Sequence, residues 1–171
     1  IAVPINTRYK ADELAYCLRQ GECRALLSAD RFLGIDFRAM VDSVRGSLPM
    51  LEWTAYPDEI ARMLDTDPLP PGRWPEISPD DVGYIIYTSG TTSFSKGVQL
   101  THRNLSRNTV AAGRVVGLVP GDRMLIAIPL LPSIGPCHPS FDALPTGACL
   151  VLQDSFDPTT EMDLYERERI T

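Results

Sequence analysis

"YTSGTTSFSKGVQLTH", Tyr87 to His102, is the stretch that decides the reading of this chain. It follows the apolar run "VGYIIYT" (82–88) and leads into the polar, helix-like "THRNLSRNTVAAGRVVG" (101–117). A strand that ends in a Gly/Ser/Thr loop and runs on into a helix offers backbone amides, hydroxyls and the positive end of a helix to an anion. Thr88, Ser89, Thr91 and Thr92 each carry a hydroxyl, and Lys96 adds a point charge. Gly90 and Gly97 permit the left-handed backbone or the close approach that such a cradle needs. A nucleotide phosphate is the expected guest, with a plain solvent-exposed turn as the competing reading. The order "GTTSFSKG" (90–97) is not the GxxxxGK[ST] order, because the glycine follows the lysine, which disfavours a P-loop NTPase.

Outward from the loop, strands and helices alternate. "IAVPI" (1–5) reads as a strand, and "ADELAYCLRQ" (11–20) as a helix with Leu14, Cys17 and Leu18 at helical spacing. "RALLS" (24–28) is a second strand, and "DFRAMVDSVRG" (36–46) a helix with Phe37, Met40, Val41 and Val44 on one face and Gly46 as its stop. "LPMLEW" (48–53) and "DEIARMLD" (58–65) repeat the strand and helix pattern. Residues 65–81, "DTDPLPPGRWPEISPDD", hold five prolines and read as a linker or surface loop. Past the loop, Thr101 is placed to cap a helix whose stripe is Leu105, Thr109, Ala112 and Val116. "GDRMLIAIPLL" and "GACLVLQ" are strands, and a helix follows Pro158. This alternation predicts an α/β fold with a mainly parallel sheet flanked by helices.

The chain has 171 residues, 44% hydrophobic and 22% charged, which fits one domain or a piece of a larger one. A net charge of −6 with no basic run argues against nucleic-acid binding. No apolar stretch approaches a membrane span and there is no basic, apolar leader, so a cytoplasmic location is expected. Cys17, Cys23, Cys137 and Cys149 form neither CxxC pairs nor a Cys/His cluster, and no metal site is read from them.

The central run resembles the signature of the acyl-adenylate-forming (AMP-binding) superfamily, which includes the fatty acyl-CoA synthetases, in the form YTSGTTGxPKGVxLTHxN. Tyr87, Thr88, Ser89, Gly90, Thr91, Thr92, Lys96, Gly97, Val98, Leu100, Thr101, His102 and Asn104 match it. Both flanks are similar as well, so the resemblance covers residues 1–171 as part of the large N-terminal domain. It implies an AMP-forming acid-thiol ligase using ATP and Mg²⁺ to turn a carboxylic acid, fatty acids foremost, into an acyl-adenylate and then a thioester on coenzyme A or an acyl-carrier protein. Thr88, Ser89, Gly90, Thr91, Thr92, Lys96 and Gly97 are then the phosphate-binding residues, and the remainder of the parent domain is the expected partner.

The chain departs from that pattern at several places. Ser93 replaces the second glycine of the signature and Ser95 its proline. Leu131 and Pro132 stand where an aromatic-histidine pair would edge the acyl pocket, and His138 is read as a packing or surface residue. The family's adenine, ribose and catalytic-lysine motifs have no counterpart among these residues. The alternative expectation is therefore a truncated, catalytically inactive paralogue that at most binds a nucleotide or a partner.

Overall fold

The computed structural model describes residues 1–70, 72–88, 95–127, 145–154 and 156–171. It divides into two compact units, Ile5–Ile77 and Ile1–Pro4 together with Ser78–Thr171.

The first unit is built around helix α1, Ala11–Gln20, whose Leu14, Ala15 and Leu18 are buried together with Val41, Leu48 and Leu51. Its spacing of apolar residues puts that stripe on one side, as the sequence indicates. Strand β1 (Ala25–Leu27) pairs in parallel with β4 (Trp53–Ala55). Between them, β2 (Arg31–Phe32) and β3 (Ile35–Asp36) form a short antiparallel hairpin whose two-residue loop, Leu33 and Gly34, has positive φ at both positions. Asp36 then caps helix α2 (Phe37–Val44) by accepting from the Ala39 amide. The helix stops at Val44 in a tight turn, Arg45–Ser47, rather than at Gly46. The strand expected over 48–53 forms later, at Trp53–Ala55, because Leu48 and Leu51 are committed to the core. Helix α3, Pro57–Leu64, carries its proline at the first turn, where the missing N–H costs nothing.

The second unit opens on strand β5, Val82–Thr88, which is the apolar run of the sequence. Ala2 bridges to Tyr84 in parallel, donating to Gly83 O at 2.8 Å and accepting from Ile85 N at 2.9 Å. That bridge is what the extended "IAVPI" segment becomes. Strand β6, Lys96–Thr101, pairs with β5 antiparallel, with one register shift between Val82 and Tyr84. Helix α4 follows directly, His102–Val116, and ends at Gly117 with φ 81°. Its buried positions are Thr109 and Gly113, with Leu105 and Ala112 half-buried, whereas Val116 faces out. Strands β7 (Arg123–Ile126) and β8 (Cys149–Leu152) pair in parallel, and helix α5, Pro158–Glu168, is capped by Asp157. The chain is thus α/β, and among the described residues its ladders β1–β4 and β7–β8 and the Ala2 bridge are parallel while β2–β3 and β5–β6 are antiparallel.

Candidate functional site

The residues of the signature run are carried by the β5–β6 hairpin. Thr88 is the last residue of β5, Lys96 the first of β6, and the two are cross-strand partners. Tyr87 pairs with Gly97 and Ile86 with Val98. Ile86 and Tyr87 are buried, which anchors the stalk, while Lys96 is exposed. The backbones of Thr88 and Lys96 are therefore held opposite each other at the loop end of the hairpin. Ser89, Gly90, Thr91, Thr92 and Ser93 lie outside the described residues, as do Leu131, Pro132, Cys137 and His138.

The route from loop to helix differs from the one expected. Lys96–Thr101 is a strand, so the loop does not feed into a helix; α4 starts opposite Val82, at the other end of the hairpin. Six residues of strand separate that start from the loop end, about 20 Å at the usual rise. The alternation of Val98 and Leu100 with Gly97 and Gln99 is the period-two signal that marks this strand in the sequence.

The N-terminus of α4 is also already satisfied by the chain itself. An α-helix leaves its first four N–H groups without helical partners. Here Thr101 N donates to Asn104 Oδ1 at 3.1 Å, His102 N to Asp81 O at 3.1 Å, Arg103 N to Pro79 O at 2.7 Å, and Asn104 N to Thr101 Oγ1 at 3.1 Å. Thr101 thus caps the helix as the sequence indicates, in a reciprocal box with Asn104. With all four donors used, this helix end offers no phosphate its backbone amides, and the positive-end contribution read from the sequence is withdrawn.

The turn that receives those amides is itself closed. Ser78 N donates to Asp81 Oδ2 at 2.8 Å, Asp80 N to Ser78 Oγ at 3.2 Å and Asp81 N to Ser78 O at 3.0 Å. Arg103 lays its guanidinium on Asp80 through two bonds, Nε to Oδ1 at 2.6 Å and Nη2 to Oδ2 at 2.9 Å. That fork holds the Asp80 carboxyl below the usual carboxylate range and pushes the Arg103 guanidinium up. The His102 ring lies against the Gly83 backbone, with ring atoms 3.0 to 3.2 Å from where a Cβ would stand. Asp80, Asp81 and Arg103 were not singled out by the sequence reading; the Thr-x-x-Asn box and the Ser-Pro-Asp-Asp turn before an apolar strand are the signals that mark them.

Among the described residues, no group of three or more His, Cys, Asp or Glu is placed to hold a metal ion. No described helix is long and apolar enough to cross a membrane.

Comparison with known proteins places these observations. The sequence pattern of the family described as "AMP-binding enzyme" matches residues 1–171. A 3-[(3aS,4S,7aS)-7a-methyl-1,5-dioxo-octahydro-1H-inden-4-yl]propanoyl:CoA ligase of Mycobacterium tuberculosis is 34% identical over 99% of this chain and 35% of its own length. An indoleacetate–CoA ligase of Aromatoleum aromaticum is 31% identical over 99% of this chain and 33% of its own. The chain therefore spans about a third of the length of these curated relatives. Among solved structures, the inhibitor-bound N-terminal domain of FACL13 from Mycobacterium tuberculosis superposes with a TM-score of 0.83 at 25% identity, over 99% of this chain and 42% of that one. ATP-bound MatB from Rhodopseudomonas palustris gives 0.80 at 25% identity, over 96% of this chain and 32% of that one.

Proposed function

Since the chain belongs to the AMP-binding enzyme family, with the fold of part of an adenylate-forming N-terminal domain, we propose that the protein carrying it is an AMP-forming acid-thiol ligase. Its substrate is a carboxylic acid, with fatty acids the favoured class, and its thiol acceptor is coenzyme A or, in a second version, an acyl-carrier protein. ATP supplies the activating group: the acid's carboxylate attacks the α-phosphorus, pyrophosphate leaves with the acyl-adenylate formed, and the thiol then displaces AMP. Mg²⁺, held as is usual by the phosphates of the nucleotide, is the proposed counter-ion. The cytoplasm, where such a soluble nucleotide and thiol meet, is the proposed setting.

The observation that carries this reading is the signature run with its two loop ends facing each other, within a family match that covers the whole chain. In this role Lys96 neutralises charge that grows on the departing pyrophosphate, and the Thr88 hydroxyl donates to a phosphate oxygen. Ser89, Thr91 and Thr92 supply further donors by sequence, and Gly90 and Gly97 let the backbone come close. The ATP-bound neighbour supports a nucleotide as the guest, as a property of that protein.

ATP–pyrophosphate exchange with a panel of aliphatic and aromatic acids, read in the purified protein that carries this chain, tests the proposal. Exchange with at least one acid is expected, and Lys96→Ala should lower kcat/KM for ATP by about a hundredfold, the usual scale for losing one charge-stabilising donor. No exchange with any acid, or a Lys96→Ala protein indistinguishable from the parent, would overturn it. Ser93 in place of the signature glycine favours a second reading, an inactive nucleotide-binding remnant. Calorimetric binding of Mg-ATP in the absence of any exchange is the result that would select it.

A further inference from the structure

The buried side chains of the hairpin, Ile86 and Tyr87, lie on β5, and β6 adds little of its own to specify the register. Along β6, Lys96, Val98 and Gln99 are exposed while Gly97, Leu100 and Thr101 are half-buried, so no continuous face is committed to a core. In such a strand a slip of one residue costs little burial, although it would turn every side chain to the other face. At the irregularity between Val82 and Tyr84 the β5 strand takes up one extra residue, Gly83, which the His102 ring packs against. Yet only the observed register puts Thr88 opposite Lys96.

At the base of the hairpin the bonds all depend on one alignment. Arg103 N reaches Pro79 O while its guanidinium forks onto Asp80, the next residue, so backbone and side chain close a ring between the turn and α4. His102 N on Asp81 O and the His102 ring over Gly83 fix the same alignment from the adjoining residue. A one-residue slip of β6 would carry the start of α4 about 3.3 Å from the turn and break these bonds together. An arginine in the first turn of a helix is opposed by the helix dipole, and the Asp80 carboxylate is what makes that position favourable here.

We infer that Asp80 and Arg103 are positioning residues that lock the hairpin's register, so that the pair Thr88 and Lys96 meets at the far end. This inference rests on the loop reading given above for its functional part, and on the structure alone for the lock.

The test has two arms, both in the protein that carries this chain. In the first, Thr88→Cys with Lys96→Cys is oxidised and the cross-link is mapped by mass spectrometry in three backgrounds: native, Asp80→Ala with Arg103→Ala, and the exchanged pair Asp80→Arg with Arg103→Asp. The 88–96 cross-link should fall about fivefold in the double alanine background, as for any loss that shifts a two-state balance by a single weak interaction. A slipped Thr88→Cys with Gly97→Cys pair should gain, and the exchanged pair should restore the native pattern. Equal cross-linking in all backgrounds, or an exchanged pair that restores nothing, overturns the lock. In the second arm, with Thr88 and Lys96 intact, the double alanine protein should show KM for ATP raised about fivefold at an unchanged KM for the acid. A rise in both, or a change in melting temperature alone, overturns the positioning role. Absence of ATP–pyrophosphate exchange in the unsubstituted protein would instead sink the ligase reading, while the cross-link pattern would still decide the lock.

Discussion

Glu22 occupies a conformation that its side chain disfavours. Helix α1 closes with Glu22 N donating to Arg19 O at 3.2 Å and Cys23 N to Leu18 O at 2.9 Å, the pair of hydrogen bonds of a Schellman ending, with Glu22 at φ 48°. A residue with a Cβ pays roughly 1 kcal/mol there, and glycine does not. Glu22→Gly is expected to raise stability by about 0.5 to 1 kcal/mol in chemical denaturation, part of the gain being offset by the freer unfolded chain. A neutral or lowered midpoint would contradict this. The sequence shows Gly21 and Glu22 side by side and does not say which of them takes the left-handed position; the structure puts Glu22 there, with Cys23 N on Leu18 O and the Cys23 side chain against the core. Cys17 is 1% exposed, and burial pushes its thiol up to about 11, which fits the packing role read for it from helical spacing.

At the scale of elements, helix bodies and the start of α4 are easier to read than strand pairings. Ala11–Gln20 and the Thr101 cap of α4 follow from apolar spacing and a single hydroxyl, both local properties. Helix α5 adds a cap that titrates. Asp157 accepts from Thr160 Oγ1 at 2.5 Å and Thr160 N at 2.8 Å, and these bonds hold its carboxyl below the usual carboxylate range. Its folded pKa is therefore lower than its unfolded one, so the cap's stabilisation is complete above the unfolded value near 4 and is lost as pH falls through the folded value. Asp157→Asn keeps an acceptor at the cap without the titration. Its melting temperature should fall less steeply than the parent's between about pH 5 and pH 2, leaving the slope contributed by Asp36, Asp80 and Glu168, whose carboxyls are lowered too. Parallel acid slopes for the two proteins would count against the cap. Strand β6 is the counterexample to easy reading: its alternation is present in Val98 and Leu100, but a loop rich in small residues masks where the strand begins, and only pairing with β5 fixes it at Lys96.

For the whole molecule, each unit has its own organisation. Ile5–Ile77 is gathered round the α1 and α2 core, and the second unit holds the hairpin, α4 and the β7–β8 pair. Several large apolar side chains are left in solvent, among them Val115 at 88% and Leu64 at 80%. Beside Leu64, an apolar groove of about 450 Å³ is lined by Leu27, Ile60 and Ala61. Prepared as these 171 residues alone, the chain is expected to self-associate, because apolar surface on this scale is covered in most soluble monomers. Light scattering should show an apparent mass that grows with concentration; a monodisperse monomer throughout would refute the expectation.

The sequence by itself determined the α/β alternation, the Thr101 cap and the membership signalled by Tyr87 to Asn104, because periodicity, a capping hydroxyl and a dense motif are local in the chain. Tertiary structure alone decided that Lys96 lies across from Thr88, that α4 begins at the opposite end of the hairpin, and that its first amides are spent on the Pro79–Asp81 turn. Those facts depend on which strand pairs with which and in what register. Local sequence does not encode that choice, because every residue carries the same backbone donor and acceptor, and which strands they join depends on contacts distant in the chain.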